Sequence, residues 1–386
     1  MKKAILLSVV ASGFALAGGN IAPAAPVAPT PAVAPAACDF WGQIGFRYEF
    51  KSDHAGKGLA KTAHNGAKST VVMGVEKEVG NGFGLGAEVA ATIKFDGKLK
   101  KKSEDAELSQ LYLTYKNGKT AVKAGRQALP KSVSPWAWSD DSLGRKDNTF
   151  NAITVVNTAL DNTTLVGAWV PQVVSGAKTT KINGSTKGLF MLTVMNKSVV
   201  DLSTSLYFMP KNNANGKAMS VWTSVKGKVS GVKVGAQAVY AKADAGSMAQ
   251  KGTGTKATFG VSAFAKTSIS GVSTKLTLAY LNAGNATLNL GGTSGFWGAF
   301  GKDVSPENGK QKIAKLDLGY KLSGGKLYSG LAMDKPDTGK TAFEAKIGYK
   351  FKVSKVSYKV EYRFQKNSKF ASTKDHRVRL EAKYKF

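Results

Sequence analysis

Cysteine occurs once and histidine three times in 386 residues. A single cysteine excludes an internal disulfide framework, and with so few histidines there is no cluster at metal-ligand spacing. His54 and His64 fall in one polar stretch, and His376 shares a row with apolar neighbours. No histidine therefore stands beside a nucleophile, so neither an enzyme nor a cofactor is expected. Acidic side chains are scarce: 25 Asp and Glu against 55 Lys and Arg, a net charge of +30. Beyond residue 17 no apolar run approaches the ~18 residues of a membrane-spanning helix. Proline is also sparse, with 11 in all, whereas the 43 glycines suit many strands joined by turns.

The N-terminus directs the interpretation of the charge. Lys2 and Lys3, an apolar stretch from Ala4 to Ala17 and the Ala15-Leu16-Ala17 ending have the form of a secretory signal peptide over residues 1–17. Its removal takes two lysines and leaves 53 basic against 25 acidic residues, +28. An exported chain of this charge is expected to meet anionic lipid or anionic solutes, not nucleic acid. Gly18, not cysteine, follows the apolar run, which excludes a lipoprotein anchor. Residues 18–38, mostly Ala, Pro and Val, have no side chains for a core and favour an extended tether. Cys38, at its end, reads as an incidental thiol.

From residue 39 to 386 the chain divides into 18 strand-length segments, beginning near Phe40, Ser69, Phe83, Ala106, Lys119, Thr149, Thr163, Lys187, Val199, Ala218, Val232, Lys256, Val272, Lys312, Lys326, Ala342, Lys355 and Asp375. Most are about ten residues long, the length of a tilted strand across hydrocarbon. The connections alternate in length. Eight are tight turns, such as Gly80-Asn81-Gly82, Ser230-Gly231 and Ser270-Gly271. The others are longer polar stretches, among them 51–68, 96–105, 128–148 and 282–311. Short turns at one end and long loops at the other predict a closed antiparallel transmembrane β-barrel of 18 strands with both termini on the turn side.

The final segment shows the facing pattern best. His376, Val378, Leu380, Ala382, Tyr384 and Phe386 form one row, and Arg377, Arg379, Glu381, Lys383 and Lys385 the other. Seven further segments alternate in the same way, and their apolar rows hold no charge. A Lys or Arg at the midplane of a lipid-facing wall costs roughly 2–4 kcal/mol, which accounts for the empty row. A secreted β-sandwich has the same period. Near-uniform strand length, alternating connections and aromatics at strand ends favour lipid. The terminal aromatic, with Tyr384 and Phe386 as the signal residues, resembles the assembly signal of outer-membrane barrels.

If the apolar rows face lipid, the charged rows line a lumen too wide for side chains to fill. Arg47, Lys346, Lys359, Arg363, Arg377 and Arg379 come from neighbouring strands of a closed barrel and form one basic sector; Lys123 lies elsewhere on the wall. Glu49, Glu344, Glu361 and Glu381 interleave with the sector. They either neutralise it through cross-strand pairs or leave a field that draws anions or carboxylates. The stretch 128–148 carries Lys131, Trp136, Trp138, Asp140, Asp141, Arg145 and Lys146. Its tryptophans predict a loop folded against something, either the inner wall as a constriction with Asp140 and Asp141 facing the basic sector, or a neighbouring subunit. The 282–311 loop, with Phe296, Trp297 and Phe300, is the rival constriction.

The run Lys123-Ala124-Gly125-Arg126-Gln127 leading into Leu129 and an Asp-rich loop is similar to the segment preceding the constriction loop of the epsilonproteobacterial major outer-membrane porins. Thr149-Phe150-Asn151-Ala152, the stretch from Asp161 to Trp169 and the Phe40-Trp41-Gly42-Gln43 opening fit the same family. The resemblance implies an 18-stranded general porin, often a homotrimer, in the bacterial outer membrane among lipid and lipopolysaccharide, passing ions and small hydrophilic solutes. It also implies a distant likeness to specific channels with an arginine ladder on the inner wall. Lysine richness departs from the cation preference common in that family, so anion preference is expected here. A specific carboxylate channel and a surface adhesin whose basic loops bind polyanions are the alternatives.

Overall fold

The tight turns fix the hairpins. Ser230 and Gly231 have φ of 47° and 81°, and Ser270 and Gly271 have 48° and 79°. Two consecutive positive φ values make the turn whose twist matches that of the strands it joins. Asn81, Asn162 and Ser354 also have positive φ at their turns, where short polar residues tolerate it best.

In a computed structural model, the protein is described over residues 38–52, 62–95, 101–139, 141–176, 178–251, 253–288, 290, 295–297, 309–337, 340–368 and 371–386. The expected signal peptide and most of the tether lie outside the described residues. The strands run β1 (Asp39–Ser52), β2 (Thr62–Gly80), β3 (Phe83–Phe95), β4 (Lys101–Asn117) and β5 (Thr120–Gln127). A two-rung hairpin of β6 (Asp141–Ser142) and β7 (Arg145–Lys146) follows, within the 128–148 loop. Next come β8 (Thr149–Asn157), β9 (Thr163–Ser175), the short β10 (Lys178–Lys181), β11 (Leu189–Asn196), β12 (Asp201–Met209), β13 (Ala218–Val229) and β14 (Val232–Ala243). The remainder are β15 (Thr258–Ile269), β16 (Val272–Leu281), β17 (Gln311–Leu322), β18 (Gly325–Pro336), β19 (Ala342–Val353), β20 (Val356–Ser368) and β21 (Ala371–Lys385).

Without β6, β7 and β10, eighteen strands make an antiparallel wall in sequence order. It closes where β1 pairs with β21, Arg47 opposite Glu381 and Tyr48 opposite Leu380. Gly42 and Phe386 complete the seam by exchanging backbone hydrogen bonds of 3.0 and 3.1 Å. Closure satisfies every edge, which a wall in hydrocarbon requires. The outer surface is apolar on strand after strand: Leu113 is 65% exposed, Met73 and Ile347 50% each. So large an exposed apolar surface is stable only against lipid. His376 lies on that side with Tyr362 and Phe364, and its Nδ1 is 2.8 Å from the Tyr362 hydroxyl.

Strand starts agree with the sequence to within a few residues at the turn side and extend further at the loop side. β2 begins at Thr62 instead of near Ser69, and β4 at Lys101 instead of near Ala106. Hydrogen-bonded hairpins continue past the hydrocarbon into water, where neither face needs to be apolar, so the alternation that marks a strand fades before the strand ends.

Candidate functional site: the lumen and two inward loops

The basic sector assembles as the register requires, and each of its cations meets a carboxylate. Arg47 Nε donates to Glu381 at 2.7 Å, and Lys359 Nζ reaches the same carboxylate at 3.1 Å. Arg379 holds Glu49 at 2.7 Å, with Arg377 at 3.5 Å from Glu49 and from Asp375. Arg363 holds Glu361 at 2.9 Å and approaches Glu344 at 3.8 Å. Lys346 faces Asp317 at 3.4 Å. Six cations thus share six carboxylates, within one strand for Arg363–Glu361 and Arg377–Asp375, across β18 for Lys346–Asp317, and between neighbouring strands for the others. Of the two readings of the interleaved acids, the geometry is that of pairing, cross-strand for Arg47, Lys359 and Arg379 and partly within the strand for Arg363 and Arg377. Lys123 sits apart, on β5, with its ammonium 3.3 Å above the Tyr112 ring, whose hydroxyl donates to Glu76.

The 128–148 loop folds inside the wall and is held at both ends. Its apex docks on β11 and β12: the Val133 carbonyl accepts from Thr193 Oγ1 at 2.7 Å, and the Trp136 ring meets Tyr207 at 5.4 Å between centroids. Trp136 is fully buried, and Nε1 donates to the Thr287 carbonyl at 2.8 Å. Its own carbonyl accepts from the Leu290 amide, so the 282–311 loop joins it. Lys131 lies over the Trp138 ring at 4.9 Å.

The β6–β7 hairpin docks on β1 to β4. Thr70 Oγ1 donates to the Leu143 carbonyl at 2.8 Å. Opposite it, Gly45 has no room for a Cβ, because Leu143 and the Thr70 hydroxyl occupy that space. Arg145 spreads its guanidinium over Thr92 Oγ1 at 3.0 Å, Glu107 Oε1 at 2.9 Å and Asp105 Oδ2 at 2.6 Å. Burial opposes this charge, but the Asp105 hydrogen bond and the two carboxylates outweigh it and raise its pKa above the usual guanidinium value. Glu107 also takes Arg126 at 2.8 Å, and Arg126 Nε donates to Thr149 Oγ1. These anchors lie on the first four wall strands, the apex on the eighth and ninth. In a ring of eighteen these groups are centred about a third of the circumference apart, so the loop runs along a chord of the lumen.

Behind that chord the space is filled. Leu129, Val133 and Trp136 pack with Phe150, Val166, Val170 and Leu189 from the inward rows of β8, β9 and β11. Trp297 of the 282–311 stretch reaches the next sector: its amide donates to Gln237 on β14 at 3.0 Å, and its ring meets Phe264 on β15. The Arg–Glu sector of β17–β21 and β1 occupies another part of the wall. Asp140 and Phe300 lie outside the described residues. Asp141 is placed by its backbone pairing with Lys146.

Sequence reasoning missed Asp105, Glu107, Thr193 and Tyr207 as loop anchors. Glu107 carried a usable signal, since an acid one residue out of step with Leu108 marks an inward position; the β3–β4 bulge at Glu88/Val89 masked it. It also missed a set of inward lysines at the turn side, where Lys228 faces Lys233, Lys233 faces Lys266 and Lys266 faces Lys275.

No family model matches the chain, and no curated protein matches it. Solved structures do. The BenF-like porin from Pseudomonas fluorescens Pf-5 superposes with a TM-score of 0.71 at 12% identity over 90% of this chain and 98% of that one. OccK8 (OprE) of Pseudomonas aeruginosa gives 0.70 at 13% identity over the same shares. OpdK of Pseudomonas aeruginosa, crystallised with vanillate, gives 0.67 at 11% identity, again over 90% and 98%. At such identities the likeness is one of fold. The chain has the closed 18-stranded antiparallel barrel of Gram-negative outer-membrane porins.

Proposed function

We propose that this protein is an outer-membrane channel for passive diffusion of small hydrophilic solutes, with no chemistry and no cofactor. The observation that carries this reading is the closed wall with a polar inward row, crossed along a chord by the 128–148 loop. That loop, with the 282–311 loop beside it, forms the constriction; Trp136 and the hairpin ending in Arg145 and Lys146 set its position. Charges of the Arg47–Arg379 sector bound the opening and are balanced by their carboxylates, so selectivity comes from the surplus lysines and the +28 mature charge. The channel prefers anions. The Ala-Gly-Arg-Gln segment at 124–127 supports kinship with the epsilonproteobacterial porins, and with it a homotrimer.

A specific carboxylate channel is the second reading, favoured by the structural neighbour crystallised with vanillate, a carboxylate. Planar-bilayer recordings in a tenfold salt gradient test both. Stepwise conductance with an anion-selective zero-current potential is expected, and benzoate-type carboxylates should reduce the current if a carboxylate site lies in the passage. Absence of conductance steps from folded protein refutes the channel, and a cation-selective potential refutes the electrostatic part.

A further inference from the structure

Lysines at the turn end of the lumen contrast with the paired sector above them. Lys228, Lys233 and Lys266 occupy facing positions on β13, β14 and β15, and all three are exposed. Lys321, Lys326 and Lys350 repeat the arrangement on β17, β18 and β19. Among the described residues no carboxylate lies within ion-pair distance of any of these six, whereas the arginines of the sector share theirs at 2.7–3.8 Å. Like charges directly opposite each other destabilise a sheet, so two such rows in one wall are a cost that pairing elsewhere in the same lumen avoids. The rows point inward. Lys226, next on the same face of β13, has its ammonium 5.5 Å from the Trp297 ring of the inward loop, and Lys350 lies 5.0 Å over Tyr328. Tyr328 in turn donates to Glu361 of the paired sector at 2.9 Å. The acids nearest these rows are Asp201, opposite Lys226; Asp317, opposite Lys275 and already bridging Lys315 and Lys346; and Glu381, already held at 3.1 Å by Lys359, which stands opposite Lys350.

We infer that these lysines form a binding site for multivalent oxyanions, such as oligophosphates, at the periplasmic mouth of the channel. A multivalent anion bridges several ammonium groups at once and relieves their mutual repulsion, which a monovalent ion does only in part. Flexible lysine stems suit a ligand that presents point charges without fixed planar geometry. The site lies on the turn side, below the two loops, so a bulky anion reaches it from that mouth and is held off from the other by the chord. It rests on the channel reading for its consequence, an asymmetric block of current, but not for binding itself.

The test uses the full-length protein and inorganic tripolyphosphate. In calorimetric titration of detergent-folded protein, Lys228→Gln/Lys233→Gln/Lys266→Gln should weaken binding about tenfold, as expected for three solvated charge contacts of a few tenths of a kcal/mol each. Lys211→Gln, on the loop side, should leave binding unchanged. In bilayers with one-sided insertion, tripolyphosphate should reduce current from the turn side at about tenfold lower concentration than from the loop side, because the chord and its sterics intervene. Binding that the triple variant does not weaken, or equal block from both sides, overturns the site. Conductance steps in the same recordings report the channel separately, so a protein that binds tripolyphosphate without conducting refutes the channel and keeps the site.

Discussion

Replacing Arg145 by glutamine should loosen the constriction while leaving the barrel intact. Removing one partner of a buried ion pair typically costs 3–5 kcal/mol. Two features reduce that here: Asp105 is 43% exposed, and Glu107 keeps Arg126 at 2.8 Å. What is lost is the Arg145 contact to Glu107, side-chain exposure 5%, and the bond to Thr92, so about 2–3 kcal/mol is the expected penalty. It falls on hairpin docking, since the Arg145 side chain bonds to the side chains of Thr92, Asp105 and Glu107 and not to the backbone ladder of the wall. An undocking equilibrium shifted by that amount rises roughly 30- to 150-fold. Single-channel recordings should then show larger open-channel noise or new sublevels, and protease should cut near Leu143–Gly144 much faster in folded protein. The melting of the barrel should stay within a few degrees. If noise and cleavage both match the parent, the hairpin is not held by this guanidinium and the chord has another anchor.

Glu381→Gln should leave Arg47 and Lys359 without their shared carboxylate. The zero-current potential is expected to move toward anions, since one added charge acts within about a 10 Å screening length of the passage; an unmoved potential means the sector does not border the ion path. Phe386→Ala keeps the backbone exchange with Gly42 but removes the ring that covers that glycine. The folded fraction recovered from membranes, read by heat-modifiable gel migration, should fall, with only about 1 kcal/mol lost from the assembled barrel; unchanged recovery would refute a role for the terminal ring in assembly.

How legible each part was follows from what its side chains touch. β17 to β21 have lipid on one side and the charged sector of the lumen on the other, so apolar and charged residues alternate and the strands can be read directly. β8, β9 and β11 have lipid outside and the buried face of the 128–148 loop inside. Ile153, Val155, Val166, Val170 and Leu189 therefore leave both faces apolar, and only turn residues mark those strands. Trp136 and Trp138 announced a folded loop, because two indoles do not remain in water. Which wall received them was not written locally: the apex partners Thr193, Ser205 and Tyr207 lie some 60 to 70 residues further on.

The sequence alone determined the strand count, the hairpin chemistry and which row faces lipid, because each of these depends on neighbours one or two residues away and on the cost of a charge in hydrocarbon. Tertiary closure decided the rest. Only when β21 meets β1 do Arg47 and Glu381, 334 residues apart, become a pair, and only then does a basic sector become a balanced one. Electrostatic sign at a point in a lumen is a sum over strands distant in sequence, and register fixes that sum.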